Sequence, residues 1–389
     1  MKKIIIKSYR SDGTFISNIT DANFEEFVKE INGGYGECVL TFARAFDDTN
    51  EDIELNNKIE ILVCDKDTLG LSTTNGEVGG AKLIYKGYIS NVNRVSEGSE
   101  KEKIVITVLG YYTKLSQDIF KNGTTTTISY TANFFSTMIK NILDRYVAET
   151  TNPQITYREE DIETTPTAGN YTFEMMTYRE AIDKVISLTP ANWFWYVDAN
   201  GFFYLKEKPS TPTHQFIFGK HFSSIEANIS IEGIINSILI WNGKDGVDAI
   251  YKFHEDIVSV AKYGRRVQKI VNYGADVEET LDYIADKIIA ENKDPEIILT
   301  CQIVDNNLNN KGYDIESIEP GDTCVFTGFS GSMEELLRDN MLITSVKYTP
   351  EKVEIIVKVK DSGLMGWQKI INQKVSDGQN RGTPTDYTI

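Results

Sequence analysis

The residues with the most evident chemical potential in this chain are acidic. Glu159-Glu160-Asp161 could hold a carboxylate pair for glycoside hydrolysis, which needs an acid and a base or nucleophile roughly 5–10 Å apart. The run sits between ITYR and a Thr/Pro loop, and reads as a solvated charge run. Glu316, Glu319 and Asp322 flank Pro320-Gly321, the pattern of a type II turn opening a strand, so they read as turn and surface residues. Glu278 and Glu279 fall in the first turn of an expected helix, where the helix dipole favours negative charge.

Aromatic and basic groups give the next candidates. In WFWYV, strand alternation puts Trp193 and Trp195 on one face and Phe194 and Tyr196 on the other. Exposed tryptophans could stack on sugars. Beside a capped helix with a Leu/Ile/Val stripe, core packing is the expected role, with the outward pair buried against a neighbouring subunit. Arg265-Arg266, the only tight arginine pair, reads as an interface salt bridge to an acidic surface. Cys38, Cys64, Cys301 and Cys324 each lie in an expected strand with no CxxC pair, as small buried hydrophobes do. His214, His221 and His254 form no HxxxH or HExxH pattern, and there is no GxSxG or GxxxxGK[ST]. No catalytic, cofactor-binding or metal-binding residue is assigned, and no cofactor is expected.

The elements that would position these groups are mostly strands. Asn57–Val63, Lys82–Val95 and Lys103–Leu109 echo Gly321–Thr327, Met341–Tyr348 and Val353–Val359 in order and in alternation. Phe15–Ile19 and Glu37–Arg44 add N-terminal strands, with Gly33, Gly34 and Gly36 turning the chain before the second. MKKIIIKSYR reads as a first strand, being too short in apolar residues for a signal peptide. Asp65–Ala81 is a long Gly/Thr/Asn loop, mobile or a contact surface.

Helices are expected after Asn133, from Thr177 with Glu180 completing a capping box, and from about Val277. Asp198-Ala199-Asn200-Gly201 should turn a hairpin between WFWYV and FFYL. Ser223–Trp241 reads as further strand. MGWQKIINQKV could form a short helix, followed by an extended or disordered tail.

The expected fold is mainly β with α+β insertions: two similar small β-barrels, an α/β domain and a helical insertion. The boundaries are 1–112 for the first barrel and 113–208 for the α/β domain. The second barrel takes 209–245 and 295–361, the insertion 246–294 and the tail 362–389. At 389 residues several domains are needed. No apolar run approaches the roughly 18 residues of a membrane span. A formal charge of −17 argues against sequence-reading nucleic-acid binding. It serves solubility, or lines a passage through which a polyanion slides.

EINGGYGECVLTFAR, KLIYKGYISNVNRV with EKIVITVLGYYTKLS, LTPANWFWYVDANGFFYLK and IESIEPGDTCVFTG resemble segments of phage tail hub proteins. These are the baseplate hub of contractile tails and the N-terminal hub portion of siphophage tail-associated proteins. The resemblance runs in order through most of residues 1–361. It implies two barrels per chain and a homotrimer whose six barrels match a sixfold tail tube above and a threefold tip below. It implies a distal tail or tube protein, a tip, spike or fibre protein and a tape measure protein as partners, with DNA passing through the channel. The place would be the tail tip or baseplate of a virion made in the host cytoplasm. Many members continue into a peptidoglycan-cutting domain. This sequence stops at Ile389, so a structural hub, not an enzyme, is expected. The alternatives are a receptor- or carbohydrate-binding tail protein and a tail-associated peptidoglycan hydrolase.

Overall fold

A computed structural model describes residues 2–42, 51–65, 81–96, 102–166, 168–189, 192–244, 246–271, 278–305, 312–329, 337 and 340–358. Most of the Gly/Thr/Asn loop, the expected C-terminal helix and the tail lie outside the described residues. The protein is mainly β with helical elaborations.

Seven strands come first: β1 (Lys2–Tyr9), β2 (Phe15–Ile19), β3 (Ala22–Glu30), β4 (Gly33–Phe42), β5 (Lys58–Asp65), β6 (Lys82–Ser96) and β7 (Glu102–Gly110). They pair in the order β3-β4-β7-β6-β5-β1-β2, every neighbour antiparallel. Alternation drives this. Ile104, Ile106 and Val108 of β7 point into the core, while Val105 and Thr107 between them are half-buried.

A mixed region follows, with β8 (Thr127–Phe134), α1 (Phe135–Glu149), β9 (Ala168–Glu174), α2 (Tyr178–Leu188), β10 (Trp193–Val197) and β11 (Phe203–Glu207). Thr177 caps α2 in the expected box: its hydroxyl accepts from the Glu180 amide, and the Glu180 carboxylate accepts from the Thr177 amide. Ala181, Ile182 and Val185 form its buried stripe. β10 also adds in parallel to the start of β4, where an added Cβ on Gly34 would lie 2.6 Å from the Val197 carbonyl oxygen. Only glycine permits that approach.

The remaining strands are β12 (His214–Ile217), β13 (Ile225–Ser230), β14 (Ser237–Trp241), β15 (Tyr251–Glu255), β16 (Val267–Val271), β17 (Glu296–Val304), β18 (Thr323–Thr327), β19 (Met341–Tyr348) and β20 (Lys352–Lys358). α3 (Ile257–Tyr263) and α4 (Glu278–Asn292) lie among them. A second sheet unit forms in the order β13-β17-β20-β19-β18-β12. The sequence reading placed Ser237–Trp241 in this C-terminal barrel. It pairs instead with β15 and β16 in a separate three-stranded sheet backed by α4. Alternation alone identifies a strand without naming its partner.

The two β-units are continuous with each other. β3 pairs with β19, giving one pairing path from β13 to β2. Phe27, Tyr85, Val108, Phe216, Leu299 and Ile355 belong to one shared core, and a second core lies under the mixed region and α4.

Candidate assembly interface

The internal repeat extends to backbone detail. β3-β4-β7-β6-β5 and β13-β17-β20-β19-β18 have the same order and the same antiparallel orientations. β6 carries a bulge between Ile89 and Asn91, and β19 one between Ile343 and Ser345. The extra residue is Ser90 in one and Thr344 in the other. Ser90 donates its hydroxyl to the Thr107 carbonyl at 3.1 Å, and Thr344 donates its own to the Ile356 carbonyl at 3.1 Å. Thr107 and Ile356 stand opposite Asn91 and Ser345, so the two bonds are equivalent.

The turn entering each unit is also repeated. Asn57 donates its amide to the Glu54 carbonyl at 3.1 Å, as Asp322 does to that of Glu319 at 3.2 Å. The third turn residue is left-handed in both, Asn56 at φ 66° and Gly321 at φ 94°. Asn56 and Gly321 then donate to the carbonyls of Ile89 and Ile343. The sequence carries this as Glu51-Asp52-Ile53-Glu54 against Glu316-Ser317-Ile318-Glu319, an echo that the strand blocks alone do not reveal. Asn32 and Gly33 after Ile31 likewise match Glu232 and Gly233 after Ile231.

Where the units meet, β3 lies against the second half of β19, with Glu30 opposite Ser345 and Phe27 opposite Tyr348. The Phe27 ring stacks on Tyr348 at 5.1 Å. The Tyr348 hydroxyl donates to Glu316 at 3.0 Å, and burial beside that carboxylate pushes the phenol well above its ordinary pKa. Lys29, its side chain 3% exposed, pairs with Glu319 at 2.8 Å and lies over the Tyr35 ring. Asp322 accepts from the Glu319 amide at 3.0 Å and pairs with His214 at 3.0 Å, whose other ring nitrogen meets the Tyr313 hydroxyl at 2.9 Å. The acids around Pro320-Gly321 are therefore turn residues as expected. Glu316, though, is buried and structural rather than a surface group.

The other candidates separate. Glu159 and Glu160 are exposed, with Glu159 paired to Lys140, while Asp161 is buried and held by Arg158 at 2.6 Å. Each of these carboxylates is paired with a cation, Glu160 and Asp161 sharing Arg158. Glu278 opens α4 and pairs with Lys252 at 2.7 Å. Trp193 and Trp195 are buried in the second core and unavailable to a sugar. Within the chain, Phe194 is buried and Tyr196 half-buried. Phe194 rests on Gly321, where an added Cβ would collide with its ring, and Tyr196 stacks on Tyr204 at 4.6 Å. Arg265 bridges to Glu255 within the chain at 2.9 Å. All four cysteines are free and buried. Burial pushes the thiols of Cys38, Cys301 and Cys324 up, which makes them poor nucleophiles. Among the described residues no group of three His, Cys, Asp or Glu is arranged to hold a metal, and no helix is long and apolar enough to cross a membrane.

Two surfaces remain open. One is sheet edge: the side of the second half of β6 away from β7, and the side of β13 away from β17, have no strand partner among the described residues. The other is the outer face of the β15-β14-β16 sheet, where Tyr251, Phe253, Leu239, Val267 and Val271 are exposed.

This is the fold of phage tail proteins. Among solved structures, the chain is similar to the 43 kDa tail protein of prophage MuSo2 from Shewanella oneidensis, at TM-score 0.58 and 12% identity, covering 92% of this chain and 98% of that one. A tail protein from Neisseria meningitidis gives TM-score 0.58 at 10% identity, covering 92% and 96%. The prophage tail protein gp18 from Listeria monocytogenes gives 0.51 at 13%, covering 95% and 98%. No protein-family profile matches the chain, and no curated protein matches it in sequence. The resemblance carried by the quoted sequence segments is thus matched in three dimensions.

Proposed function

We propose that this chain is a structural hub of a phage or phage-like tail tip or baseplate, with no catalytic role. Three copies form a ring of six β-units, matching a sixfold tube on one side and a threefold tip on the other. The observation that carries this is the paired β-units, alike in strand order, bulge and turn: a repeat of that kind lets a trimer present six near-equivalent faces. We assign residues up to about 112 to the first ring unit, and 214–230 with 296–358 to the second.

The partners would be a tube or distal tail protein above, a tip, spike or fibre protein below, and the tape measure protein. The exposed aromatic face of β15-β14-β16 is suited to such a contact. The charge of −17 supports a channel that lets DNA pass with little adhesion, since like charges disfavour phosphate contacts. A neutral or basic inner wall in an assembled ring would refute that part.

Light scattering with negative-stain class averages of the purified chain tests the ring. A threefold particle with six lobes is expected, and a strict monomer in the presence of the tube and tip proteins would overturn it.

A further inference from the structure

The repeat makes one edge of the sheet informative. In the C-terminal unit the second half of β19 is covered by β3, which belongs to the N-terminal unit. In the N-terminal unit the corresponding half of β6, Asn91–Ser96, pairs with β7 on one side and has no strand on the other among the described residues. The strand equivalent to β3 is β13, and its outer edge also has no strand partner among the described residues. Within one chain the joint is made once, and the two half-joints left over are complementary.

We propose that copies of this chain join head to tail by main-chain pairing, β13 of one copy adding antiparallel to Asn91–Ser96 of β6 in the next. This rests on the ring reading and names the segments that close the ring. The register follows from the repeat. Leu40 and Cys301 occupy matching places in β4 and β17, which makes Phe24 equivalent to Ile225 and Phe27 to Ala227. Ser345 through Tyr348 match Asn91 through Arg94. Transferring the β3·β19 pairs puts Ser230 opposite Asn91, Ile229 opposite Val92, Asn228 opposite Asn93 and Ala227 opposite Arg94.

Two further observations agree. Ile31 donates its amide to the Thr344 carbonyl at 3.1 Å, and the matching pair is Ile231 with Ser90. Ile231 is a large apolar side chain left 49% exposed at the end of β13, where a partner would cover it. Glu226, Asn228, Asn91 and Asn93 are exposed as well. An open edge carrying polar side chains is suited to a specific partner and resists indiscriminate aggregation.

The bond from Ile31 also fixes the phase of the ladder. Asn228 and Asn93 fall at a non-hydrogen-bonded pair, where opposing Cβ atoms come closest. In full-length chain carrying both Asn93→Cys and Asn228→Cys, oxidation should give a covalent ladder ending at a closed trimer on non-reducing gels. Either single variant should give none, because the four native thiols are buried. A mixture of the two single variants should stop at a covalent dimer. As a second arm, Ala227→Pro removes an amide that points at the proposed partner and not at β17, so the monomer should keep its fold by circular dichroism. Its self-association should weaken about tenfold or more. A trimer by light scattering that neither cross-links in the double variant nor weakens with Ala227→Pro overturns the strand addition and leaves the ring reading standing. A double variant that stays monomeric with tube and tip proteins present overturns both.

Discussion

The two β-units follow one plan and differ in what their edges and turns carry. In the N-terminal unit β3 and β4 are joined by a tight turn at Ile31-Asn32, whereas β13 and β17 are separated by residues 231–295 with their own sheet and helices. The C-terminal unit has its β19 edge filled, and the N-terminal unit has no strand at the matching β6 edge among the described residues. What stayed alike is what main-chain hydrogen bonding dictates: strand order, a bulge with its hydroxyl, a left-handed turn residue. What diverged is side-chain filling. Phe27 stacked on Tyr348 corresponds to Ala227 and Arg94, an aromatic joint inside one chain against a small and a charged residue on edges without a strand partner among the described residues. Even the sixth strand differs, β1 antiparallel to β5 but β12 parallel to β18.

The sharpest way to break this comparison is at Phe27. Its ring is fully buried among Tyr35, Tyr85 and Tyr348. Phe27→Ala should cost about 3–5 kcal/mol in urea unfolding, the range for a core phenylalanine. Ala227→Ser, at the matching site, should shift the same midpoint by under about 0.5 kcal/mol in the monomer. A Phe27→Ala cost near that of Ala227→Ser would mean the units fold as separate cores.

Legibility in the sequence followed the same division. β5, β6, β7 and β18 to β20 alternate cleanly enough to be read, and α1, α2 and α4 carry stripes or caps. β3, the strand that joins the units, was not read. Register shifts around Phe27 interrupt its period of two, and Glu25-Glu26 within FEEFVKE suits a helix as well as a strand. α3 escaped because Ile257 and Val258 face solvent and leave no buried stripe, although Asp256 accepting from the Ser259 amide is a cap a reader could find. The buried role of Glu316 was hidden because Tyr348, its partner, arrives only through sheet pairing. The candidate surface itself was legible as a repeat, and its open edges were not, since an edge is defined by which strands are absent beside it.

A smaller effect is expected at the ion pair that ties the units together. Glu319→Gln leaves the Lys29 ammonium without its carboxylate in a site where the lysine side chain is 3% exposed. A fully buried broken pair costs about 3–5 kcal/mol, but the Glu319 side chain is 36% exposed, so screening should reduce this to roughly 1–2 kcal/mol. Glu54→Gln at the equivalent turn, where the residue is exposed, should change stability by under about 0.5 kcal/mol. Equal costs at the two turns would show that the Lys29 pair is not what distinguishes them.

The mildest test separates a filled edge from an open one through the bulge hydroxyls. Thr344 is buried beneath β3, so Thr344→Val strips the Ile356 carbonyl of a bond water cannot replace and should cost about 1 kcal/mol. Ser90 makes the same bond to Thr107 at an exposed position, and Ser90→Ala in the monomer should cost only about 0–0.5 kcal/mol, because water takes over the carbonyl. When another strand covers the β6 edge, Ser90 enters the environment Thr344 already occupies. The cost of Ser90→Ala measured by thermal unfolding should then rise toward that of Thr344→Val in assembled material. If it stays unchanged on assembly while the particle is a trimer, the β6 edge is not where the subunits meet.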